Sequence, residues 1–176
     1  MDHPTTEINR LDVPLTIIGR VRSAYQAQTG TPIQPNQGAP KPATILIYPP
    51  FRAGLADLDG FDRIWLLSWL DRSGGYNLRP IPYRDVEPRG LFATRAPRRP
   101  NPIGLSLVEL LAADLATGLL TVASIDLLDQ TPILDIKPYV PGFECVPDSR
   151  AGWLDRGSRR THADDRFDDD AHDAGA

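Results

Sequence analysis

The hydrophobic pattern of the chain consists of short apolar runs, each ended by glycine, proline or another turn residue. Runs that are rich in β-branched and aromatic side chains, or that alternate between apolar and polar positions, predict strands. Residues 103–111 fit a helix or a strand equally well. About seven short strands between Gly- and Pro-rich loops are typical of a mainly β barrel or sandwich. The other predicted strands are residues 15–23, 43–48, 63–70, 90–94, 119–128 and 133–139, with a helical turn at 53–58.

The remaining segments divide the chain into one folded domain with two polar ends. Residues 24–42 show no period of 2 or 3.6, and a loop of that length inside a compact domain is usually functional. Residues 1–13 predict a polar leader and residues 14–154 the folded domain. Residues 155–176 form an acidic tail with few apolar side chains, which we expect to be disordered.

Charge is distributed unevenly, although the net charge is only −4. Residues 155–176 hold seven Asp and four Arg, a net charge of −3. Residues 63–99 hold eight Arg against two Asp and one Glu, a net charge of +5. A basic middle segment suits a polyanion or a carboxylate ligand. A solvated surface with scattered arginines is the alternative interpretation.

The cysteine content and the start of the chain indicate a compartment. The single cysteine, Cys145, excludes an internal disulfide framework, and no basic segment followed by an apolar run opens the chain. The longest apolar run, residues 64–70, is too short to span a bilayer. We therefore expect a soluble, cytoplasmic protein that does not bind membranes.

The side chains available in the folded domain exclude several kinds of chemistry. The three histidines, His3, His162 and His172, all lie in the terminal segments. The domain therefore lacks the residues for a zinc site, a Ser-His-Asp triad or a histidine general base, and we expect no metal. It also lacks the glycine-rich phosphate loops of common nucleotide-binding folds. Carboxylates that keep acid–base or magnesium chemistry open are Asp126, Asp129 and Asp135.

Methyl transfer from a sulfonium is compatible with this inventory. Because such a donor carries its own activation, the protein needs mainly to align the acceptor with the methyl carbon. Removal of a proton from an acceptor amine needs at most an aspartate or a water.

Two segments concentrate the candidate chemistry. Residues 92–110 (FATRAPRRPNPIGLSLVEL) contain three prolines that stiffen the backbone around three arginines and Asn101. Such a loop is preorganised for binding, and a rigid turn with solvated arginines is the alternative. Residues 125–139 (IDLLDQTPILDIKPY) group three aspartates and Lys137 around a turn. A hairpin with Asp-initiated turns is the alternative there.

Together these segments resemble a known family, the small β-barrel S-adenosylmethionine-dependent tRNA (adenine exocyclic amine) methyltransferases, called TrmO/TsaA-like in bacteria. The similarity covers about 125 residues in unbroken order, and RPNPIGLS followed by LDIKPY is its most specific part. Its segments are residues 18–25 (IGRVRSAY), 30–35 (GTPIQP), 58–67 (LDGFDRIWLL), 92–111 and 125–141.

The resemblance implies a small antiparallel β-barrel with short helical turns and long loops, usually a homodimer with S-adenosylmethionine near the subunit interface. It implies an acceptor amine on a modified adenosine beside the tRNA anticodon. Cofactor contacts carried over by position are Pro35, Asn36, Gln37, Asp71, Arg72, Arg95, Leu107, Asp126, Leu127, Leu128 and Asp129. Asn101 and Asp126 are the catalytic candidates, steering the acceptor amine. The candidates for substrate binding are Arg98, Arg99, Lys137 and Tyr139.

The sequence departs from the family pattern at several positions. Ile33 replaces a common arginine, Asp71 a common histidine, and Gln130 the glycine of a DGTP turn. The APRR tetrapeptide is more basic than its usual counterpart, and an acidic tail stands where larger bacterial members have another domain. Three functions therefore stay open: tRNA adenosine methylation, methylation of a small molecule at the same cofactor site, and cofactor binding without catalysis.

Overall fold

Six antiparallel β-strands close into a barrel in the computed structural model of the protein, which describes residues 13–37 and 39–167. Around the barrel the order is β1-β2-β5-β4-β3-β6, and β6 pairs back with β1. The prediction of a small antiparallel β-barrel with short helical turns and long loops is confirmed. The strands are β1 (Gly19–Arg22), β2 (Ala43–Ile47), β3 (Arg63–Trp69), β4 (Ile103–Asp114), β5 (Leu119–Val122) and β6 (Pro132–Pro138), and a single helical turn, α1, spans Pro141–Glu144.

Alternation of side chains sorts the barrel residues between the core and the outer surface. On β3, Ile64, Leu66 and Ser68 are fully buried and point inward. On β4, Ser106 and Val108 are the buried inward positions. Residues 103–111, which fit a helix or a strand in sequence, are therefore a strand, because their burial repeats every second residue.

The outer face of β3 and β4 is apolar as well. The antiparallel register pairs Trp65 with Leu107, Leu67 with Leu105 and Trp69 with Ile103. Ile103 and Leu105 are 45% and 48% exposed, so this face leaves considerable apolar area in contact with solvent.

Several predicted boundaries differ from the observed ones. Residues 90–94 form a 3-10 turn (Leu91–Ala93) rather than a strand, because the prolines around it prevent continuous pairing. The predicted strands at 15–23 and 119–128 shrink to β1 and β5. The predicted turn at 53–58 becomes two 3-10 turns, Pro49–Leu55 and Leu58–Gly60.

The prediction that residues 155–176 are disordered is wrong for 155–167. Ala163 donates its N–H to the carbonyl of Thr31 at 2.9 Å, and its carbonyl accepts the N–H of Gly30 at 3.0 Å. The N–H of Ile33 donates to the carbonyl of Thr161 at 2.9 Å. Backbone pairing with the 30–33 loop thus replaces the apolar area that the segment lacks. Residues 1–12 of the predicted leader and 168–176 of the tail lie outside the described residues.

No helix in the described ranges is long and apolar enough to span a bilayer.

Candidate functional site

A cleft with a volume of about 1300 Å³ lies where β3 ends and β4 begins. Its floor is formed by the start of β4 and by the loop that follows β5. Its walls come from the 27–37 loop, residues 70–73, the 82–99 region and the C-terminal segment, defined here as residues 152–167. Small-molecule sites usually have volumes of ~300–1000 Å³. The cleft therefore has room for one small ligand and for part of a second.

A short hydrogen bond marks the floor of the cleft. Ser106, which is only 2% exposed on the inner face of β4, donates its hydroxyl proton to Asp126 Oδ1 at 2.6 Å. Removal from water raises the pKa of Asp126 to about 6, while the bond from Ser106 and the charge of Arg95 act in the opposite direction. A carboxyl group with a pKa this close to neutrality can accept a proton and later release it.

Two arginines, Arg72 and Arg95, line the cleft. Arg72 Nη2 donates to the carbonyl of Asp129 at 2.6 Å and to the hydroxyl of Thr131 at 3.2 Å, which fixes the turn after Asp126. Arg95 Nη1 donates to Gln34 Oε1 at 2.5 Å. Within residues 13–37 and 39–167, no carboxylate lies at ion-pair distance from Arg95. Its positive charge is therefore available to an anionic ligand.

A buried acceptor in the cleft lacks a partner. Gln37 Oε1 has no hydrogen-bond donor in the described part of the chain, although it is closed off from solvent. Because an unsatisfied buried polar atom costs about 1–3 kcal/mol, it is a natural contact for the N–H group of a ligand.

The structure brings many of the site residues predicted from sequence together in this cleft. Those that line it are Asn36, Gln37, Asp71, Arg72, Arg95, Arg99, Asp126, Leu127 and Leu128. They come from separated parts of the chain, and their role as cofactor contacts stays a prediction.

Four other predicted residues lie beside the cleft rather than in its wall. Pro35 accepts the hydroxyl of Ser124 through its carbonyl. Asp129 accepts the N–H of Ser23 at 3.1 Å through its carboxylate, so it orders the turn. Leu107 lies on the outer face of the barrel, and Asn101 is exposed.

Neither Lys137 nor Tyr139 lines the cleft. They pair with the first residues of β3, whereas the cleft lies at the other end of that strand. Lys137 forms an ion pair with Asp135 at 2.7 Å, and the Tyr139 ring packs edge-on against Trp65. Their assignment to substrate binding stays a prediction, and the cleft gives it no support.

The two adjacent arginines of the proline-rich loop already have protein partners. Arg99 Nη1 donates to three carbonyls of its own loop, those of Leu91, Thr94 and Ala96. Arg98 donates to the carbonyl of Phe167 at 3.4 Å. Arg99 therefore fixes the shape of the loop, and Arg98 links the loop to the C-terminal segment.

Sequence reasoning missed several residues that form the cleft. Ser106 carried a signal, since it is a polar residue at an inward position of an apolar strand. Trp153 and Phe167 carried a weaker one, as aromatic residues in an otherwise polar end of the chain. The 103–106 strand and the C-terminal wall could be placed only after the barrel was closed.

The described residues contain no group of three or more His, Cys, Asp or Glu side chains that could hold a metal ion. The absence of a metal stays a prediction.

Comparison with known proteins identifies the family. A sequence-family model described as the tRNA-methyltransferase O N-terminal domain matches residues 20–145, which is most of the chain. The chain belongs to this TrmO N-terminal domain family. The resemblance inferred from the sequence motifs is thereby confirmed.

Individual relatives agree with the TrmO family assignment. A probable S-adenosyl-L-methionine-binding protein of Pyrococcus abyssi is 40% identical over 139 residues, covering 79% of this chain and 74% of that protein. The tRNA (adenine(37)-N6)-methyltransferase of Escherichia coli is 35% identical over 144 residues, covering 77% of this chain and 61% of that protein. A crystal structure of TrmO from Pseudomonas aeruginosa superposes with a TM-score of 0.67 at 35% identity, covering 81% of this chain and 62% of that one.

The coverage differs between relatives within the TrmO family. The chain spans about three fifths of the two bacterial TrmO-type proteins, but three quarters of the archaeal relative. The family match ends at residue 145, before the C-terminal segment begins.

Proposed function

We propose that the protein is an S-adenosylmethionine-dependent methyltransferase that methylates the exocyclic amine of a modified adenosine beside the tRNA anticodon. The observation that carries this proposal is the pair formed by Ser106 and Asp126. In this pair a carboxyl group with a pKa of about 6 lies on the floor of a cleft with room for one small ligand and part of a second, in a chain of the TrmO family.

The residues of the cleft fit this cofactor. An adenine amine needs an acceptor, and Gln37 Oε1 is a buried acceptor without a partner among the described residues. An aminocarboxylate group needs a cation, and Arg95 lies in the wall without a carboxylate at ion-pair distance in the described ranges. Leu127 and Leu128 supply apolar contact area. When bound, S-adenosylmethionine supplies a methyl group that its sulfonium already activates.

Asp126 is the candidate general base. A methylated amine is left with one proton more than the neutral product carries, and a carboxylate can take that proton. The hydroxyl of Ser106 occupies Asp126 Oδ1, which leaves Oδ2 to face the acceptor. Asn101, the second catalytic candidate, is exposed beside the cleft and would steer the acceptor only after moving toward it.

Two finer statements belong to the same proposal. We infer a homodimer that uses the apolar outer face of β3 and β4, because Leu105 and Leu107 lie there and Leu105 also lines the cleft. A dimer on this face would bring Leu107 to the cleft of its partner, consistent with its assignment to the cofactor. We also infer a cytoplasmic location, where the tRNA acceptor and a free thiol such as Cys145 both occur.

A transfer assay tests the proposal. The protein is incubated with methyl-labelled S-adenosylmethionine and either total RNA or a small-metabolite extract, and the labelled fraction is identified. We expect label in tRNA, and loss of that label in Asp126→Asn with S-adenosylhomocysteine binding retained. Label only in the metabolite extract would favour the small-molecule acceptor, and binding without any label would favour a non-catalytic module.

A further inference from the structure

Phe92 is a large apolar side chain that the fold leaves in solvent at the edge of the cleft. It is 78% exposed, while its neighbour Leu91 is 2% exposed and anchors the 3-10 turn. Phe143, on α1, is similarly exposed at 77% but lines neither described cavity. The exposure of one large apolar side chain therefore does not by itself indicate a binding site. What distinguishes Phe92 is its position in the wall of the cleft.

The backbone that presents Phe92 is held rigidly. Arg99 donates to the carbonyls of Leu91, Thr94 and Ala96, which surround the turn, and its guanidinium lies 5.9 Å from the Phe92 ring. An aromatic ring fixed in this way loses little conformational entropy when a flat ligand stacks on it.

A second aromatic ring comes from the C-terminal segment. The indole N–H of Trp153 donates to the carbonyl of Ala93, the residue after Phe92, at 2.8 Å. Trp153 also lines the cleft, and the Arg89 guanidinium lies 5.7 Å from its ring. Two rings from separate parts of the chain thus line the same cleft, and the bond to Ala93 holds Trp153 next to the turn that carries Phe92. We call Phe92 and Trp153 the aromatic platform.

Exposed arginines lie next to the platform in the C-terminal segment. Arg156 follows Trp153 in the same 3-10 turn, and Arg159 lies beside Ser158, which exchanges hydrogen bonds with Arg84 of the cleft wall. Arg156 and Arg159 are exposed, and no carboxylate in the described part of the chain forms an ion pair with either. Exposed aromatic rings flanked by arginines are typical of surfaces that bind single-stranded nucleic acid.

We propose that the aromatic platform stacks an unpaired nucleobase of the RNA acceptor while Arg156 and Arg159 contact the adjoining phosphates. This inference rests on the proposed function and adds to it. It assigns RNA contact to the C-terminal segment, outside the family match, and requires a nucleotide that is unstacked from its neighbours. Every π-face of a base fits such a platform, so the platform selects single strands over duplexes rather than one base over another.

Binding of a fluorescein-labelled anticodon stem–loop RNA to the full chain tests the proposal. Phe92→Ala is expected to raise the Kd by about 5- to 150-fold, the loss of one stacked base. Phe92→Trp should retain affinity. A fully paired duplex with the same number of phosphates should bind both Phe92→Ala and wild type with equal affinity. Phe143→Ala is the matched control, since it removes an equally exposed ring elsewhere.

The salt dependence of the same titrations separates stacking from charge. Phe92→Ala should leave the slope of log K against log salt unchanged, because no charge is removed. Arg156→Gln combined with Arg159→Gln should reduce that slope by about 1.4, or 0.7 per phosphate contact on a single strand. Arg63→Gln, at the far end of β3, is the control and should leave the slope as it is.

Different experimental results would contradict the proposed function and the proposed role of the aromatic platform. Absence of methyl label in any RNA with the wild-type protein would overturn the proposed function, and the platform with it. If the wild type labels tRNA but Phe92→Ala binds the stem–loop as tightly as Phe143→Ala does, only the platform is overturned. Equal loss of stem–loop and duplex binding in Phe92→Ala would overturn it too.

Discussion

The hydroxyl of Ser106 donates a hydrogen bond to Asp126 Oδ1 across 2.6 Å, and this bond joins β4 to the loop after β5. The bond stabilises the charged form of the carboxyl group, against the effect of its burial. The protonation of the candidate base therefore depends on one neighbouring side chain.

Ser106→Ala should shift the pH dependence of methyl transfer. Without the hydroxyl, the carboxylate loses a stabilising donor and the pKa of Asp126 rises above about 6. Since the base must be ionised to accept a proton, the acidic limb of the pH–rate profile should move to higher pH. The profile of kcat, measured with saturating RNA and cofactor, is the readout.

Ser68→Ala is the matched control for that experiment. Ser68 is also a fully buried serine on an adjacent strand, but its hydroxyl has no partner among the described residues. Its removal should leave the pH profile in place and raise the free energy of unfolding by about 1 kcal/mol, because an unsatisfied hydroxyl is lost. A profile that moves equally in both variants would contradict the role given to Ser106.

Asp126→Asn should stabilise the protein at neutral and alkaline pH. The folded-state pKa of about 6 lies above the ordinary value of 3.8, so the native state holds this proton more tightly than the unfolded state does. The favourable contribution of the carboxyl is complete below the unfolded pKa and is lost as the pH rises through about 6. The amide should therefore add up to ~3 kcal/mol at about pH 8 and almost nothing near pH 4.

Urea denaturation of wild type and Asp126→Asn at the two pH values measures this difference. An asparagine Oδ1 can still accept the bond from Ser106, so packing is preserved. A gain in stability together with a loss of methyl transfer would identify Asp126 as a residue kept for chemistry at the expense of stability. An equal effect at both pH values would mean that packing, and not ionisation, explains the change.

Gln130→Gly should also stabilise the fold, for a different reason. Gln130 has a φ of 64°, in the left-handed region that favours glycine. The turn depends on backbone bonds that a glycine keeps, because the Gln130 carbonyl accepts from Arg20 and its N–H donates to Val21. We expect a gain of ~0.5–1 kcal/mol in the free energy of unfolding. A stability loss in thermal denaturation would show that the Gln130 side chain contributes more than its strained backbone costs.

The β-barrel could be predicted from the sequence because strands such as β3 are visible in it as short runs of apolar and aromatic residues. In the structure, burial along β3 alternates from residue to residue. The predicted strand at residues 90–94 was wrong, because this short apolar run between prolines forms a turn. Residue propensity alone could not distinguish a strand from a turn there. A short apolar run becomes a strand only where a neighbouring strand is present to pair with it.

The residues of the candidate site also fall into those that the sequence could predict and those that it could not. Arg72, Arg95 and Asp126, named from the family resemblance, do line one cleft, and their assignment to the cofactor stays a prediction. The link between Trp153 and Ala93 could not be predicted, since the two residues are 60 positions apart and no side-chain pattern in the sequence relates one to the other. Pairing of a polar chain end through backbone hydrogen bonds leaves almost no trace in side-chain patterns.

The C-terminal segment gives the last prediction. Ending the chain after Asp148 should lower the melting temperature on the order of 5–10 °C, because it removes the three backbone hydrogen bonds to the 30–33 loop and the Trp153 bond to Ala93. Arg166 also donates to the carbonyl of Pro82 at 2.7 Å, so a second wall of the cleft loses its support. A chain ended after Phe167 keeps all of these contacts and should melt above the chain ended after Asp148.

A single substitution at Ala163 tests the same prediction without shortening the chain. Ala163→Pro removes the N–H that Thr31 accepts, whereas Ala163→Gly keeps it. Differential scanning calorimetry should place the proline variant several degrees below the glycine variant. Because the 30–33 loop lines the cleft beside Gln34 and Arg95, calorimetric titration should also show weaker S-adenosylhomocysteine binding in the proline variant alone. Identical melting and binding in the two variants would mean that the segment rests on the loop without supporting it.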